Sequence, residues 1–336
     1  MKTAIVILNY NTRTLLQQFL PVVIQHSTSA HVIVADNGSN DDTVAFMKNE
    51  FAQVALIVNK VNGGFAAGYN QCLRHVNAEY VLLLNSDVLV TENWIEPLQN
   101  YLDINPEVAA VQPKILDYKN QTKFEFAGAC GGFIDCLGFP FCRGRIFDSI
   151  EADNGQYNQP IEVFWATGAC MLIRKKIFDD LGGFDEMFFA HMEEIDLCWR
   201  IQNAGYKLMV VPQSVVYHVG GGTLAVTSPR KTYLNFRNNL LMLHKNLPGH
   251  LLFSTLFAKM TLDGIASVKF LFSNGWQHFL AVFKAHMFFY SNIFSIQKQR
   301  SITQSMVVYH NRKNIYKHSI VWKYYIKRIR CFSKLH

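Results

Sequence analysis

The chain has 336 residues, of which 50% are hydrophobic and 17% charged; that length can bury a sizeable core, and that composition excludes a disordered chain. The formal net charge of +7 is unevenly spread: from Lys231 onward sixteen Lys/Arg face a single acid, Asp263, whereas residues 1–230 hold more acids than bases. A mildly acidic body with a basic tail suits a polyanionic surface as partner, and it counts against a nucleic-acid binder, which would carry a basic face on the body itself.

In chain order, the N-terminal MKTAIVILNYNT is too short in apolar content for a signal peptide and reads as a first strand. Apolar runs at 3–8, 31–35, 54–58 and 80–84 alternate with helix-like stretches near 12–25, 41–50 and 65–76. Such alternation predicts βαβ units and a parallel sheet, whose ligands bind beyond the carboxyl ends of the strands. The runs end in Asn9-Tyr10-Asn11, Asp36-Asn37-Gly38-Ser39 and Asn85-Ser86-Asp87, residues that serve turns as readily as a site. After residue 105 the pattern loosens. A strand is expected over 162–173, a helix near 193–204 and a strand at 207–211. From about 230 the chain reads as helical, aromatic and basic. Its most apolar stretch, 251–272, contains Lys259, Asp263 and Lys269 and is a poor transmembrane span. The seven cysteines include no CxxC pair, and Cys130, Cys136 and Cys142 match no zinc spacing, so reduced thiols are expected.

Several of these residues carry two readings. Asp36, at a strand end, suits either the N3–H of a uracil or thymine ring or the cap of the turn before Asp41. Asp87 suits a hard divalent cation bridging phosphate oxygens, or a turn. His218 precedes Gly220-Gly221-Gly222 and is a ligand or a structural histidine. The segment GGFDEMFFAHMEEIDLCWR (182–200) sets Asp185, Glu186, Glu193, Glu194 and Asp196 among large apolar residues. The acids are either a solvated face or buried carboxyls of raised pKa, which mark base or ligand sites. The stretch NGGFAAGYN (62–70) has no GxGxxG and no Walker lysine, although the helix it opens can turn backbone amides toward a diphosphate.

In order, VILNYN (6–11), VIVADNGSNDDT (32–43), NGGFAAGYN (62–70), LLLNSD (82–87), TGA (167–169), the 182–200 segment and YHVGGGT (217–223) resemble family-2 glycosyltransferases, especially the bacterial rhamnosyltransferase-like branch. The resemblance covers most of residues 1–225. It implies a GT-A fold over 1–230 and single-displacement, inverting transfer from a nucleotide-diphosphate sugar. Tyr10 and Asp36 would hold the base, with Gly63, Gly64, Asn70 and Ser86 also at the nucleotide. Asp87, joined by His218, would hold Mg²⁺ or Mn²⁺. The family's Glu-Asp pair falls on Glu193-Glu194, its usual catalytic Asp being replaced by Glu194; Glu194 is assigned as base, with Glu193 as competitor. Trp165, Gly168 and Asp185 would meet the acceptor, and Arg143 and Arg145 a phosphate, although packing explains most of these side chains equally well.

The resemblance implies a dTDP- or UDP-linked donor, rhamnose among the candidate sugars, and a glycan or lipid-linked acceptor for cell-surface polysaccharide. The region 231–336, with aromatics over 279–290 and eight Lys/Arg over 312–334, is expected to attach peripherally to the anionic cytoplasmic face of the membrane. The competing classes are a nucleotidyltransferase, which would show a Gly-rich loop after the first strand where LNYNTRT stands, and a non-enzymatic basic-tailed binder.

Overall fold

A computed structural model of the chain describes residues 1–220 and 228–335. The strands are β1 (Thr3–Asn9), β2 (His31–Asp36), β3 (Ala55–Val58), β4 (Tyr80–Asn85), β5 (Val88–Val90), β6 (Val108–Asp117), β7 (Gly132–Asp135), β8 (Pro140–Cys142), β9 (Arg145–Ile146), β10 (Ser149–Ile150), β11 (Ile161–Glu162), β12 (Cys170–Arg174), β13 (Lys207–His218) and β14 (Ile315–Tyr316). The helices are α1 (Arg13–Gln25), α2 (Thr43–Glu50), α3 (Gly64–Leu73), α4 (Glu96–Ile104), α5 (Lys175–Asp180), α6 (Glu193–Asn203), α7 (Pro229–Asn246), α8 (Gly249–Ser273), α9 (Trp276–Ser291), α10 (Ile293–Ser305) and α11 (Ile320–Tyr325).

Among the described residues the main sheet runs β11-β13-β6-β12-β4-β1-β2-β3, with β5 beside β13. Strands β4, β1, β2 and β3 are parallel, and β12 enters antiparallel between β4 and β6. Residues on the central strands alternate between two cores, the expected consequence of the two-residue repeat of a strand. Ile5, Ile7, Leu82 and Leu84 pack with Leu16, Leu20, Trp94 and Leu98 of one helical layer. Ala4, Val6, Val81 and Leu83 pack with Tyr69, Leu73, Ile195 and Leu240 of the other. Both faces are covered, so β1 and β4 read as unbroken apolar runs. Each fully buried Leu or Val contributes roughly 1.5–3 kcal/mol.

Two expectations change. The strand expected over 162–173 is broken: only Ile161–Glu162 and Cys170–Arg174 are strands. Between them Gly132 pairs with Trp165 in an isolated bridge, and Ala169 accepts the Asn85 amide at 3.0 Å. The strand expected at 207–211 continues to His218, with a register irregularity between Val211 and Val215. The second sheet, β10-β9-β8-β7-β14, recruits a strand from the C-terminal region. That region is interlocked with the rest of the chain, for α7 also packs on α6. All seven cysteines are free thiols.

Candidate active site

Strand register brings the polar strand ends together. β1 and β2 finish level, Asn9 opposite Asp36. β4 finishes at Asn85, and Ser86-Asp87 turn the chain into β5. Because β5 pairs antiparallel with β13, His218 lies opposite Val88, directly beside Asp87. Over these ends lies a cavity of about 420 Å³, lined by Tyr10, Ser86, Asp87, Gly168, Glu193, Glu194 and His218 together with His191, Arg230 and Lys231.

The glutamates come from an unusual launch of α6. Phe189, His191 and Met192 have φ of 63°, 70° and 71°, the left-handed region in which non-glycine residues are strained. The loop persists because neighbours pin its carbonyls. Phe65 donates its amide to the Phe189 carbonyl at 2.6 Å. The Asn238 amide nitrogen lies 2.9, 2.8 and 2.7 Å from the carbonyls of Phe188, Ala190 and His191, its two N–H donors shared among them. Arg237 donates to the Met187 and Phe188 carbonyls at 2.9 and 2.8 Å. Gly64, with φ of +81°, sits so close that a Cβ there would collide with the Phe189 carbonyl; only glycine lets α3 approach this loop.

Glu193 is buried and Glu194 half-buried, and the Oε2 of each is itself buried with no hydrogen-bond partner among the described residues. Burial pushes the Glu194 carboxyl up to about 7. Glu193 is raised well above the usual range, by burial and then by the charge of Glu194. The two carboxyls are therefore raised together, because a charge on one opposes a charge on the other. Asp196, one turn on, is of a different kind: despite burial, Lys245 and Arg200 hold it below the usual range. It accepts from Arg200 at 2.9 Å and from Lys245 at 3.0 Å.

Asp87 and His218 form a charged couple. His218 Nε2 lies 3.0 Å from Asp87 Oδ1, and Nδ1 lies 3.2 Å from Glu125 Oε1. Burial opposes the charged ring, but the contacts with Asp87 and Glu125 outweigh it and push His218 up to about 10. The ring thus lies between the Asp87 and Glu125 carboxylates. No group of three or more His, Cys, Asp or Glu suited to a metal occurs among the described residues. Asp87 itself fits a cation, because it opens on the cavity and makes no further side-chain hydrogen bond among the described residues. Mg²⁺ and Mn²⁺ accept one carboxylate supplemented by phosphate oxygens and water.

Other expected site residues lie elsewhere. Asp36 is beneath the cavity and accepts the Ser39 amide at 3.0 Å, a turn cap. Asn70 faces away from it and pins Phe184, donating to its carbonyl at 2.8 Å and accepting its amide at 3.0 Å. Gly63 precedes α3 without lining the cavity, unlike Gly64. Trp165 is buried and donates Nε1 to the Phe133 carbonyl at 3.0 Å. Asp185 is paired with Lys245 at 2.6 Å. Arg143 and Arg145 belong to the small sheet, stacked 4.7 Å from the Tyr157 ring and 4.2 Å from the Phe126 ring. Six of these seven are held by contacts within the fold, and Gly63 is a neighbour of the cleft. Gly221 to Thr223, part of the motif around His218, lie outside the described residues.

Sequence reading missed His191, Arg230, Lys231 and Glu125. Burial, then the Lys231 charge, push His191 down to about 4, so it is neutral. Burial also lowers Lys231, while Arg230 stacks 5.1 Å over the Phe189 ring. Lys231 had been counted with the basic tail, and its place at the cleft depends on where α7 begins.

A sheet whose parallel strands end under a cleft of acids and cations defines an α/β transferase of the GT-A type. Solved structures share this fold. The Pyrobaculum calidifontis mannosyltransferase PcManGT, solved with GDP-Man and Mn²⁺, is 14% identical with a TM-score of 0.50, covering 91% of this chain and 84% of that one. S. aureus TarS is 15% identical with a TM-score of 0.53, covering 91% and 55%. The model of glycosyl transferase family 2 matches residues 4–182, and the chain belongs to that family. Similar curated proteins include an N-acetylglucosaminyl-diphospho-decaprenol L-rhamnosyltransferase of Mycobacterium tuberculosis, 26% identical over 231 residues, 64% of this chain and 75% of that one. The dTDP-rhamnosyl transferase RfbF of Shigella flexneri is 23% identical, covering 65% and 72%. Family membership decides for a glycosyltransferase over the nucleotidyltransferase and binder classes.

Proposed function

We propose that the protein transfers a hexosyl residue, rhamnose being favoured by the names of its relatives, from a dTDP- or UDP-linked donor to a hydroxyl of a glycan or lipid-linked acceptor, with inversion. The observation that carries this reading is the Glu193–Glu194 pair, each with a buried, unpartnered Oε2 among the described residues, lining the same cavity as Asp87. Glu194 takes the acceptor's proton as the acceptor oxygen attacks the anomeric carbon; the bond from that carbon to the diphosphate oxygen breaks, and its electron pair leaves with the diphosphate. Arg230 and Lys231 meet the charge that develops on the leaving group. Asp87 would hold Mg²⁺ or Mn²⁺, which supplies Lewis-acid stabilisation of the diphosphate. Protonated His218 fixes the Asp87 carboxylate, and Tyr10 lies where a nucleobase can stack. Glycine at 168 leaves acceptor room beside Phe65, whose ring a Cβ would meet at 2.7 Å.

The test is transfer from a panel of nucleotide sugars. Glu194→Gln is expected to lower kcat by about a hundredfold or more with donor affinity retained, and Asp87→Asn to abolish metal-dependent donor binding. If Glu193→Gln alone gives the first pattern, the base is Glu193. Full activity in EDTA removes the metal.

A further inference from the structure

Helix α8 is folded with its polar side inward. Its buried residues are Thr255, Lys259, Asp263 and Ser267, one every four positions. Its outward stripe is Phe253, Phe257, Thr261, Ile265, Val268 and Phe272, five of them large and apolar; Phe253 and Phe272 are 83% and 85% exposed. A helix at a water interface does the reverse. Of the three charges that argued against a transmembrane span, Lys259 and Asp263 are therefore turned away from the surface, while Lys269 is exposed near the C-terminal end of α8. Lys259 is ion-paired with Asp263, and its ammonium lies 4.5 Å over the Phe139 ring. The apolar stripe extends about 29 Å at the helical rise of 1.5 Å per residue. Helix α9, packed against α8, and the start of α10 also expose large apolar residues, Trp276, Phe283 and Phe294, the last 89% exposed.

Cations fringe this face. The Lys269 ammonium lies 4.9 Å over the Tyr325 ring, which brings segment 322–330, with Lys323, Lys327, Arg328 and Arg330, to the C-terminal end of α8. No acid follows Asp263 in the chain. Exposed Trp322, Tyr325 and Ile326 sit among these cations. Apolar side chains bordered by uncompensated positive charge complement a bilayer with anionic headgroups, whereas a protein partner's interface would leave most of these cations without counterions.

We propose that the outer face of α8, extended by α9 and the start of α10, is a membrane-insertion surface that lies in the plane of an anionic lipid bilayer. The helix passes the length and hydropathy requirement for a span, but it lies against α7 and α9, and α7 is tied into the catalytic centre by Asn238 and Lys245. Flat insertion keeps those contacts. This inference goes beyond the proposed sugar transfer and stands without it.

The test uses the full chain with vesicles of phosphatidylcholine alone or mixed with phosphatidylglycerol. Co-sedimentation is expected with the mixed vesicles. The variant Phe253→Ser/Phe257→Ser/Phe272→Ser, altered only at exposed positions, should bind about tenfold or more weaker at every salt concentration. Lys323→Gln/Lys327→Gln should remove mainly the salt-sensitive part. In the unmodified protein, brominated lipid should quench tryptophan emission, a readout that needs no variant, and Trp276→Phe should reduce the quenched part. Unchanged sedimentation of the triple serine variant, or absence of that quenching, overturns the proposal. So does a dimer that the serine variant converts to monomer without any vesicle binding, for the occupant is then a second copy.

Discussion

Two adjacent carboxyls opening on one cavity cannot both ionise cheaply. Burial raises both carboxyls, and the charge of Glu194 raises Glu193 further. A base must be ionised to act. With its pKa raised to about 7, kcat/KM is expected to be low at acid pH and to rise to a plateau above neutrality. Of the histidines lining the cavity, His191 is pushed down to about 4 and His218 up to about 10, both away from that limb. A half-maximal point near 4.5, the ordinary value, in a pH–rate profile would remove Glu194 as a buried base. The same shifts act on stability. Both folded values exceed the unfolded one, so their stabilising effect is full below pH 4.5 and is lost as pH rises through the folded values. Glu193→Gln is accordingly expected to raise the Tm above neutrality, read by calorimetry across pH.

At the scale of elements, the catalytic pair depends on a loop and a helix distant in sequence. Residues 189–192 hold strained dihedrals, and α7 holds them there through Arg237 and Asn238. Asn238→Ala leaves the Phe188, Ala190 and His191 carbonyls without that donor, at about 1–3 kcal/mol for each buried group left unsatisfied. The loop is then free to relax toward ordinary dihedrals, carrying the start of α6 with it. The expected result is a fall in kcat of about tenfold or more, with donor KM little changed. Steady-state kinetics with a thermal melt checks this; an unchanged kcat in a folded variant shows that the loop keeps its shape unaided.

Across the whole molecule, the C-terminal helices are part of the catalytic body on one side and apolar on the other. Their inner side holds a buried ion pair, Lys259 and Asp263 being 2% and 1% exposed, with His286 3.4 Å from Asp263. Removing one partner, as in Lys259→Met, is expected to cost about 3–5 kcal/mol, whereas Lys259→Met/Asp263→Leu should be near neutral. Denaturant titration in detergent distinguishes the two. Equal loss in both variants would mean that the apolar replacements do not fit the space between α8 and its neighbours.

The sequence by itself determined the sheet's parallel half and the ends of its strands, because apolar runs of four to six residues punctuated by Asn, Asp and Gly report local geometry. Tyr10, Ser86 and Asp87 stand at strand ends, where parallel topology collects functional groups, and they line the cavity together with Glu193 and Glu194, which the sequence singled out as acids among apolar residues. Tertiary structure decided what those positions face. Asp36, Asn70, Trp165 and Asp185 look alike in the sequence as polar or aromatic candidates, yet each spends its hydrogen bonds on the fold. Glu125 reaches His218 across 93 residues of chain, and no local pattern encodes such a contact. The inward turn of Lys259 and Asp263 was equally hidden. Helical periodicity divides a helix into faces, but only the packing of α7 and α9 against α8 determines which face is buried.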